Sequence, residues 1–185
     1  MLPEVRVLIE RAAARRLALE GLLDALPDDY WGRSAPGDGW PIRSHVEHLA
    51  TIEGLVAETV RTVQVGDRYV WAGGANTTAA LAELRAAQMA SVAGATREAL
   101  RAAMARSRAG LVAALASLEP VHLDAAVLVA GVVDAWGKPV GFSLRGYLGA
   151  WPEHDVDHDA AIRRAMETPP DLSAAALVRR AQRGR

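Results

Sequence analysis

The chain of 185 residues is long enough for one domain with a substantial hydrophobic core. Its 21 basic and 22 acidic residues nearly balance, so the sequence does not predict a nucleic-acid partner. It contains no cysteine, which excludes disulfides, thiolate zinc sites and a cysteine nucleophile. Because no apolar run approaches the ~20 residues of a membrane span and the N-terminus does not look like a signal peptide, we expect a cytoplasmic protein without a membrane partner.

Apolar residues recur every three or four positions in four segments, which predicts four long helices. These helices span residues 2–26, 41–64, 77–118 and 143–167, and prolines follow the first and the last of them. Four long helices with little strand signal predict an all-α protein. They could belong to an irregular α fold, but their similar lengths favour a four-helix bundle.

The bundle is expected to occupy residues 1–167 and to be followed by a C-terminal extension, 168–185, in which residues 171–182 form a short helix. Two connections, 64–77 and 119–142, are longer than a simple up-and-down bundle needs. The second contains a β-like run, Ala126–Val133, which predicts a short irregular or β-like insertion before the last bundle helix.

Pro152 lies inside the predicted fourth helix, where proline removes a hydrogen bond and bends the axis. The sequence therefore predicts either a kink just before residue 154 or a helix that begins later than Ser143, its predicted N-cap.

Four of the five histidines fall in two short helical segments, as His45 with His48 and as His154 with His158. A spacing of four residues puts the second pair on one helix face, inside the apolar stripe. The structural alternative is that each imidazole bonds a backbone carbonyl or water. Because histidine is the commonest metal ligand, the pattern favours a metal site, completed by a third histidine from a facing helix.

The second helix offers two candidates for that third ligand. His45 lies near the centre of the apolar stripe and His48 at its edge, so the pattern alone favours His45. Glu53 also falls inside the stripe, where a carboxylate is costly unless it is paired. We expect Glu53 to orient a metal-bound imidazole or to bind water, the alternative being a boundary residue that reaches solvent.

Other polar residues are assigned ordinary roles. The aspartates around His154, at positions 155, 157 and 159, form a negative patch that is interpreted as a solvated helix face. His122, in the second long connection, is interpreted as an ordinary polar residue.

The segment from Trp40 to Glu53 resembles the second helix of DinB/YfiT-like proteins, in which a tryptophan precedes a His-Leu-Ala sequence by about two turns. The segment from Ser143 to His158 resembles the last helix of that family, with its His-x-x-x-His pair. The resemblance covers roughly residues 3–167 and implies a bundle of up-down-down-up topology, with residues 64–77 as the crossover.

The resemblance also implies a metal site of His48, His154 and His158 that holds zinc or nickel. In the family the ligand histidine follows the tryptophan by about two turns, and His48 is the residue at that distance from Trp40. The resemblance therefore implies His48, contrary to the helical pattern, and leaves His45 as the alternate ligand. Relatives of this kind often form dimers, so a homodimer is a further expectation.

Some members of the family are similar to thiol-dependent S-transferases or isomerases that use mycothiol, bacillithiol or glutathione. The resemblance thus implies a metal that keeps such a thiol ionised for attack on an electrophilic small molecule. Trp71, Trp136 and Tyr147 are the expected walls of its pocket. The alternatives are a metal-dependent hydrolase that uses metal-bound water and a non-catalytic, stress-related metal-binding or ligand-binding protein.

Overall fold

The computed structural model describes residues 1–168, which are mostly helical and include a small three-stranded sheet. The predicted helix at 171–182 lies outside the described residues. Among the described helices, none has the length and hydrophobicity needed to cross a membrane. The elements are α1 (Pro3–Asp24), α2 (Ile42–Gln64), β1 (Tyr69–Trp71), α3 (Thr78–Ala90), α4 (Arg97–Ala116), β2 (Ala126–Val133), β3 (Pro139–Ser143), α5 (Leu144–Gly149) and α6 (Trp151–Glu167), with short 3-10 turns at Asp28–Tyr30, Ala72–Gly74 and Pro120–Asp124.

The first two predicted helices are confirmed to within two residues at each end. The single long third helix is wrong, because the chain forms two helices, α3 and α4. A turn separates them, in which Gly94 adopts a φ of 78° that a helix cannot contain. The hydroxyl of Thr96 then accepts a hydrogen bond from Ala99 N at 3.1 Å and caps α4.

The predicted fourth helix is also divided, into α5 and α6. Ser143 caps α5 as expected, accepting a hydrogen bond from Gly146 N at 3.1 Å. Pro152 lies in the first turn of α6, where a missing N–H costs no helical hydrogen bond. The helical segment therefore begins at Ser143 and is interrupted at Ala150, so the structure shows a break before residue 154 and not a start later than Ser143.

The predicted strand Ala126–Val133 is confirmed as β2. It pairs in parallel with β1, where Tyr69 faces Ala126, and antiparallel with β3, where Ser143 faces Ala126. The two long connections therefore meet in one sheet. The sequence did not predict this pairing, because a three-residue strand such as β1 carries almost no periodicity.

The long helices enclose two separate apolar clusters, with α2 packed along α4 and α1 along α6. The first core contains Val5 and Ala12 of α1, Ala57, Val60 and Val63 of α2, Leu111 and Leu115 of α4, and Leu144, Leu148 and Trp151 of α5 and α6. The second core contains Leu19 and Leu23 of α1, Ile42, Val46 and Leu49 of α2, Leu100 and Met104 of α4, and Ile162 and Ala165 of α6. Along α1 and along α5–α6 the chain thus passes from the first core to the second, whereas along α2 and α4 it passes in the opposite direction.

Candidate metal centre

Three histidines from two helices converge at one point. His48 of α2 and His154 and His158 of α6 each offer a ring nitrogen, and these nitrogens all lie within 4.8 Å of one another. Nε2 of His48 is 3.2 Å from Nε2 of His154. The spacing of one turn on α6 places His154 and His158 on the same side of that helix, facing α2.

Burial keeps these three imidazoles neutral at neutral pH. It lowers the pKa of His48 to about 3 and that of His158 to about 2, with a smaller contribution from the neighbouring histidines. Burial also lowers the pKa of His154, against the opposing effect of Asp155. Neutral imidazole is the form that binds a metal, so three neutral rings at this separation could hold a divalent ion.

His45 belongs to the same cluster but not to the group of three. It is buried, as its position in the helical stripe predicted, with 4% of its surface exposed. Its Nδ1 lies 2.9 Å from Nδ1 of His158, and its Nε2 lies 3.4 Å from Oδ2 of Asp38. His45 therefore contacts His158 but is not one of the three histidines whose nitrogens converge. Asp38 lies in a turn before α2, where no helical pattern singles it out in the sequence.

Trp40 packs against this histidine cluster. Its ring centroid is 5.4 Å from those of both His45 and His48 and 6.3 Å from that of His158, over which it stacks. From the sequence, Trp40 was predicted only to mark the family resemblance and not to contact the site. Its place just before a histidine-bearing helix was the available signal.

A buried ionic cluster lies beside the histidines, formed by one residue from each of four helices. Asp155 of α6 accepts hydrogen bonds from Arg16 of α1 at 2.9 and 3.0 Å and from Arg108 of α4 at 3.0 Å. Glu53 of α2 accepts from Arg108 at 2.7 Å and from Trp151 Nε1 at 2.8 Å. This ionic layer contains two cations and two anions and separates the first core from the second.

The ionic layer corrects the expectation for Asp155, whereas water binding by Glu53 stays a prediction. Asp155 is not on a solvated face, because 3% of its surface is exposed and its partners are two arginines. Glu53 makes no hydrogen bond to a histidine within residues 1–168; its Oε1 is taken up by the layer and by Trp151. The available signal was Arg16, a charged residue in the apolar stripe of the first helix, at the same spacing as Ala12 and Leu19.

A cavity of about 350 Å³ adjoins the group of three on the side of His48 and His154. Most of its lining is apolar, and its polar members are Glu53, Arg85 and Tyr147 together with the two histidines and the indole of Trp151. Glu53 is 1% exposed, and its Oε2 has no hydrogen-bond partner among the described residues. The cavity thus combines an apolar body with one buried, unused acceptor.

The three aromatic residues expected to form its walls have different positions. Tyr147 lines the cavity. Trp71 is not among the lining residues but packs against a cluster that includes two of them, Leu55 and Leu81. Trp136 is not part of the wall, because it lies in the β2–β3 turn with 84% of its surface exposed.

A second opening, the polar cleft, lies on the side of His45 and His158. Its lining includes Asp38, Asp157 and Arg164, none of which lines the apolar cavity. The group of three is therefore flanked by two openings of different chemistry. His122, the fifth histidine, lines neither; its Nδ1 accepts a hydrogen bond from Glu119 N at 3.0 Å.

Fold and site together define a mostly helical protein with a three-histidine group that could hold a metal ion. A family model of the DinB superfamily matches residues 11–162. The chain therefore belongs to the DinB superfamily, which confirms the resemblance seen in its sequence. Neither the functionally curated proteins nor the solved structures gave a significant match.

Proposed function

We propose that this protein binds zinc or nickel through His48, His154 and His158 and catalyses the transfer of a low-molecular-weight thiol to an electrophilic small molecule. The observation that carries the proposal is the contact between a group of three neutral imidazoles and an apolar cavity. Three nitrogen ligands leave a coordination position open, as catalytic metal sites require.

The path of the chain supports a four-helix bundle of up-down-down-up topology for residues 1–167. The helices α1 and α5–α6 run from the first core to the second, and α2 and α4 run the other way. The segment between α2 and α4, which carries β1 and α3, is then the crossover. In this arrangement the ionic layer crosses all four helices at mid-height, beside the metal ligands.

The apolar cavity is the proposed binding site of the electrophile. Its volume is close to the lower limit for small-molecule sites, so it suits a compact molecule with an apolar body. Glu53 Oε2 would accept a hydrogen bond from an N–H or O–H of that molecule, which would satisfy a buried oxygen that otherwise has no partner. Arg85, which forms no ion pair with a described residue, lies at the lining and suits an anionic substituent.

A bound divalent ion would supply the Lewis acidity that keeps a thiol ionised near neutral pH. The thiol sulfur then forms a bond to the electrophilic carbon, the leaving group departs with its bonding electron pair, and the thiol proton passes to solvent. Tyr147 and the apolar lining would exclude water from the reacting atoms. Mycothiol and bacillithiol are the proposed thiols, and in an isomerase the same thiol would be released again.

The test is thiol consumption by zinc-loaded or nickel-loaded protein with mycothiol or bacillithiol and a panel of small apolar electrophiles. We expect a conjugate of thiol and electrophile, detected by mass spectrometry, that His154→Ala no longer forms and His122→Ala still forms. Equal rates for the parent and His154→Ala would overturn the proposal. Ester or amide turnover without thiol would replace the transferase by a hydrolase.

A further inference from the structure

We infer that Asp38 and His45 are positioning residues that fix the tautomer of His158, so that its Nε2 carries a lone pair and can bind a metal. The inference concerns the proton on His158 in the metal-free protein, and its use by a metal rests on the proposed function. It assigns a role to two residues outside the group of three.

The contact between the two histidines needs one donor and one acceptor. Nδ1 of His45 and Nδ1 of His158 are 2.9 Å apart, a hydrogen-bond distance. A neutral imidazole has one N–H and one bare nitrogen, so only two arrangements are allowed. In the first, His45 donates from Nδ1, so that Nδ1 of His158 is the acceptor and Nε2 of His158 carries the proton. In the second, His158 donates from Nδ1, so that its Nε2 carries no proton.

Asp38 distinguishes between these arrangements. Its Oδ2 lies 3.4 Å from Nε2 of His45, which has no hydrogen-bond partner among the described residues. An ionised carboxylate only accepts, so a bare Nε2 on His45 would place two lone pairs opposite each other. Protonation at Nε2 removes that repulsion and leaves Nδ1 of His45 as the acceptor.

The proton of His158 is then required at Nδ1. The resulting order is a carboxylate, a first imidazole and a second imidazole, with each N–H directed toward Asp38 and the bare Nε2 of His158 at the other end. Metal-binding histidines commonly donate their second N–H to a fixed acceptor, which orients the ring and raises its basicity. Here the acceptor is another histidine, itself fixed by a carboxylate.

The position of this pair separates its role from that of the ligand-binding residues. Asp38 and His45 line the polar cleft, which shares no lining residue with the apolar cavity. Trp40 packs against His45 and holds the ring in place. A substitution at His45 should therefore alter His158 without altering the cavity lining.

The first test needs no metal. Nitrogen-15 NMR of the metal-free protein at pH 7.5 reports which nitrogen of each histidine carries the proton. We expect His158 protonated at Nδ1 and His45 at Nε2, and we expect His45→Leu and Asp38→Ala each to remove the preference at His158. A parent protein with His158 protonated at Nε2 would overturn the inference whether or not a metal binds.

The second test measures Co²⁺ affinity and the visible Co²⁺ spectrum. Loss of the hydrogen bond in His45→Leu should weaken binding by about 10–100-fold, the usual effect of removing such a partner. His45→Asn should recover most of that affinity, because its amide oxygen can accept the Nδ1–H of His158. His122→Leu is the matched control and should bind as the parent does.

The outcomes separate the two proposals. A parent that does not bind Co²⁺ or Zn²⁺ would overturn the proposed function, while the NMR result would still decide the tautomer. Equal Co²⁺ affinity for the parent and His45→Leu would overturn the positioning role and leave the metal site standing.

Discussion

Arg16 and Asp155 form a bidentate ion pair in which both side chains are buried, with nitrogen–oxygen distances of 2.9 and 3.0 Å. The pair joins α1 to α6 at the residue that follows His154. Burial is the largest single influence on Arg16 and disfavours its charge, but the hydrogen bonds to Asp155 and the negative charges of Glu53 and Asp155 together raise the pKa of the guanidinium. His154, a candidate metal ligand, is therefore followed directly by a residue that the ion pair with Arg16 holds in place.

Removal of Asp155 should be strongly destabilising. Asp155→Ala leaves Arg16 and Arg108 buried with Glu53 as their remaining partner, and breaking a buried pair in this way typically costs about 3–5 kcal/mol. Urea unfolding of the metal-free protein measures the loss. Arg163→Ala breaks an exposed ion pair with Asp159 on the same helix and should cost only about 0.3–0.5 kcal/mol. Similar losses in the two variants would contradict the role of the ionic layer.

Substitutions at Gly73 and Gly74 test how closely the chain packs against Leu55, a residue in the wall of the cavity. Both have positive φ, 63° and 76°, but a Cβ added at Gly73 would lie 2.5 Å from Leu55 Cγ, whereas one added at Gly74 meets open space. Gly74→Ala should therefore show only the backbone strain, about 1–2 kcal/mol. Gly73→Ala should lose about 1–3 kcal/mol more, because Leu55 must move. Thermal unfolding checks the difference, and equal melting temperatures would exclude the close approach.

The buried histidines predict a pH dependence for the metal-free protein. The unfolded chain protonates its histidines near pH 6.5, whereas the folded protein holds the pKa of His48 at about 3 and that of His158 at about 2. Below pH 6.5 the unfolded state thus binds more protons, so stability is lost as the pH falls. The slope contributed by each histidine is at most about 1.4 kcal/mol per pH unit.

Urea unfolding between pH 7.5 and 5, in the presence of a chelator, measures this slope. His158→Leu removes one of the buried histidines and should make the slope shallower. His122→Leu, a substitution outside the histidine cluster, is the control. An identical slope in all three proteins would show that the buried histidines do not govern acid stability.

The apolar cavity should bind an apolar anion such as 1-anilinonaphthalene-8-sulfonate, because Arg85 lies at its lining. Saturable fluorescence enhancement measures the affinity. Ala150→Phe adds a ring at an exposed position of the lining and should weaken binding severalfold without changing metal content. Ala116→Phe adds the same ring at an exposed position on α4 outside the lining and is the control. Equal weakening by both substitutions would place the dye elsewhere.

Sequence periodicity was sufficient for α1 and α2, because each has a continuous apolar stripe and a clear end. It failed where the chain keeps helical periodicity across a break. The α3–α4 turn contains Gly94 in a conformation that no apolar pattern reveals, and the α5–α6 junction was visible only through Pro152. The sheet depends on pairing between segments some sixty residues apart in sequence, and local pattern contains no information on that pairing.

The candidate site, like the fold, could be predicted from the sequence only in part. Four histidines could be assigned to two facing helices from spacing alone, and the structure brings all four into one cluster. Asp38 could not be found in this way, since it reaches His45 from a loop. Asp155 was misassigned because a helical wheel ranks residues by the apolar stripe, and a buried ion pair places charged residues where the wheel expects solvent.

Metal content decides whether the histidines form a metal site, and it is measured by mass spectrometry on the purified, untagged protein after incubation with zinc or nickel. We expect about one equivalent per chain, lost in His48→Ala, His154→Ala and His158→Ala and retained in His122→Ala. A parent protein that takes up neither metal, or variants that retain it in full, would contradict the proposal that these three histidines form a metal site.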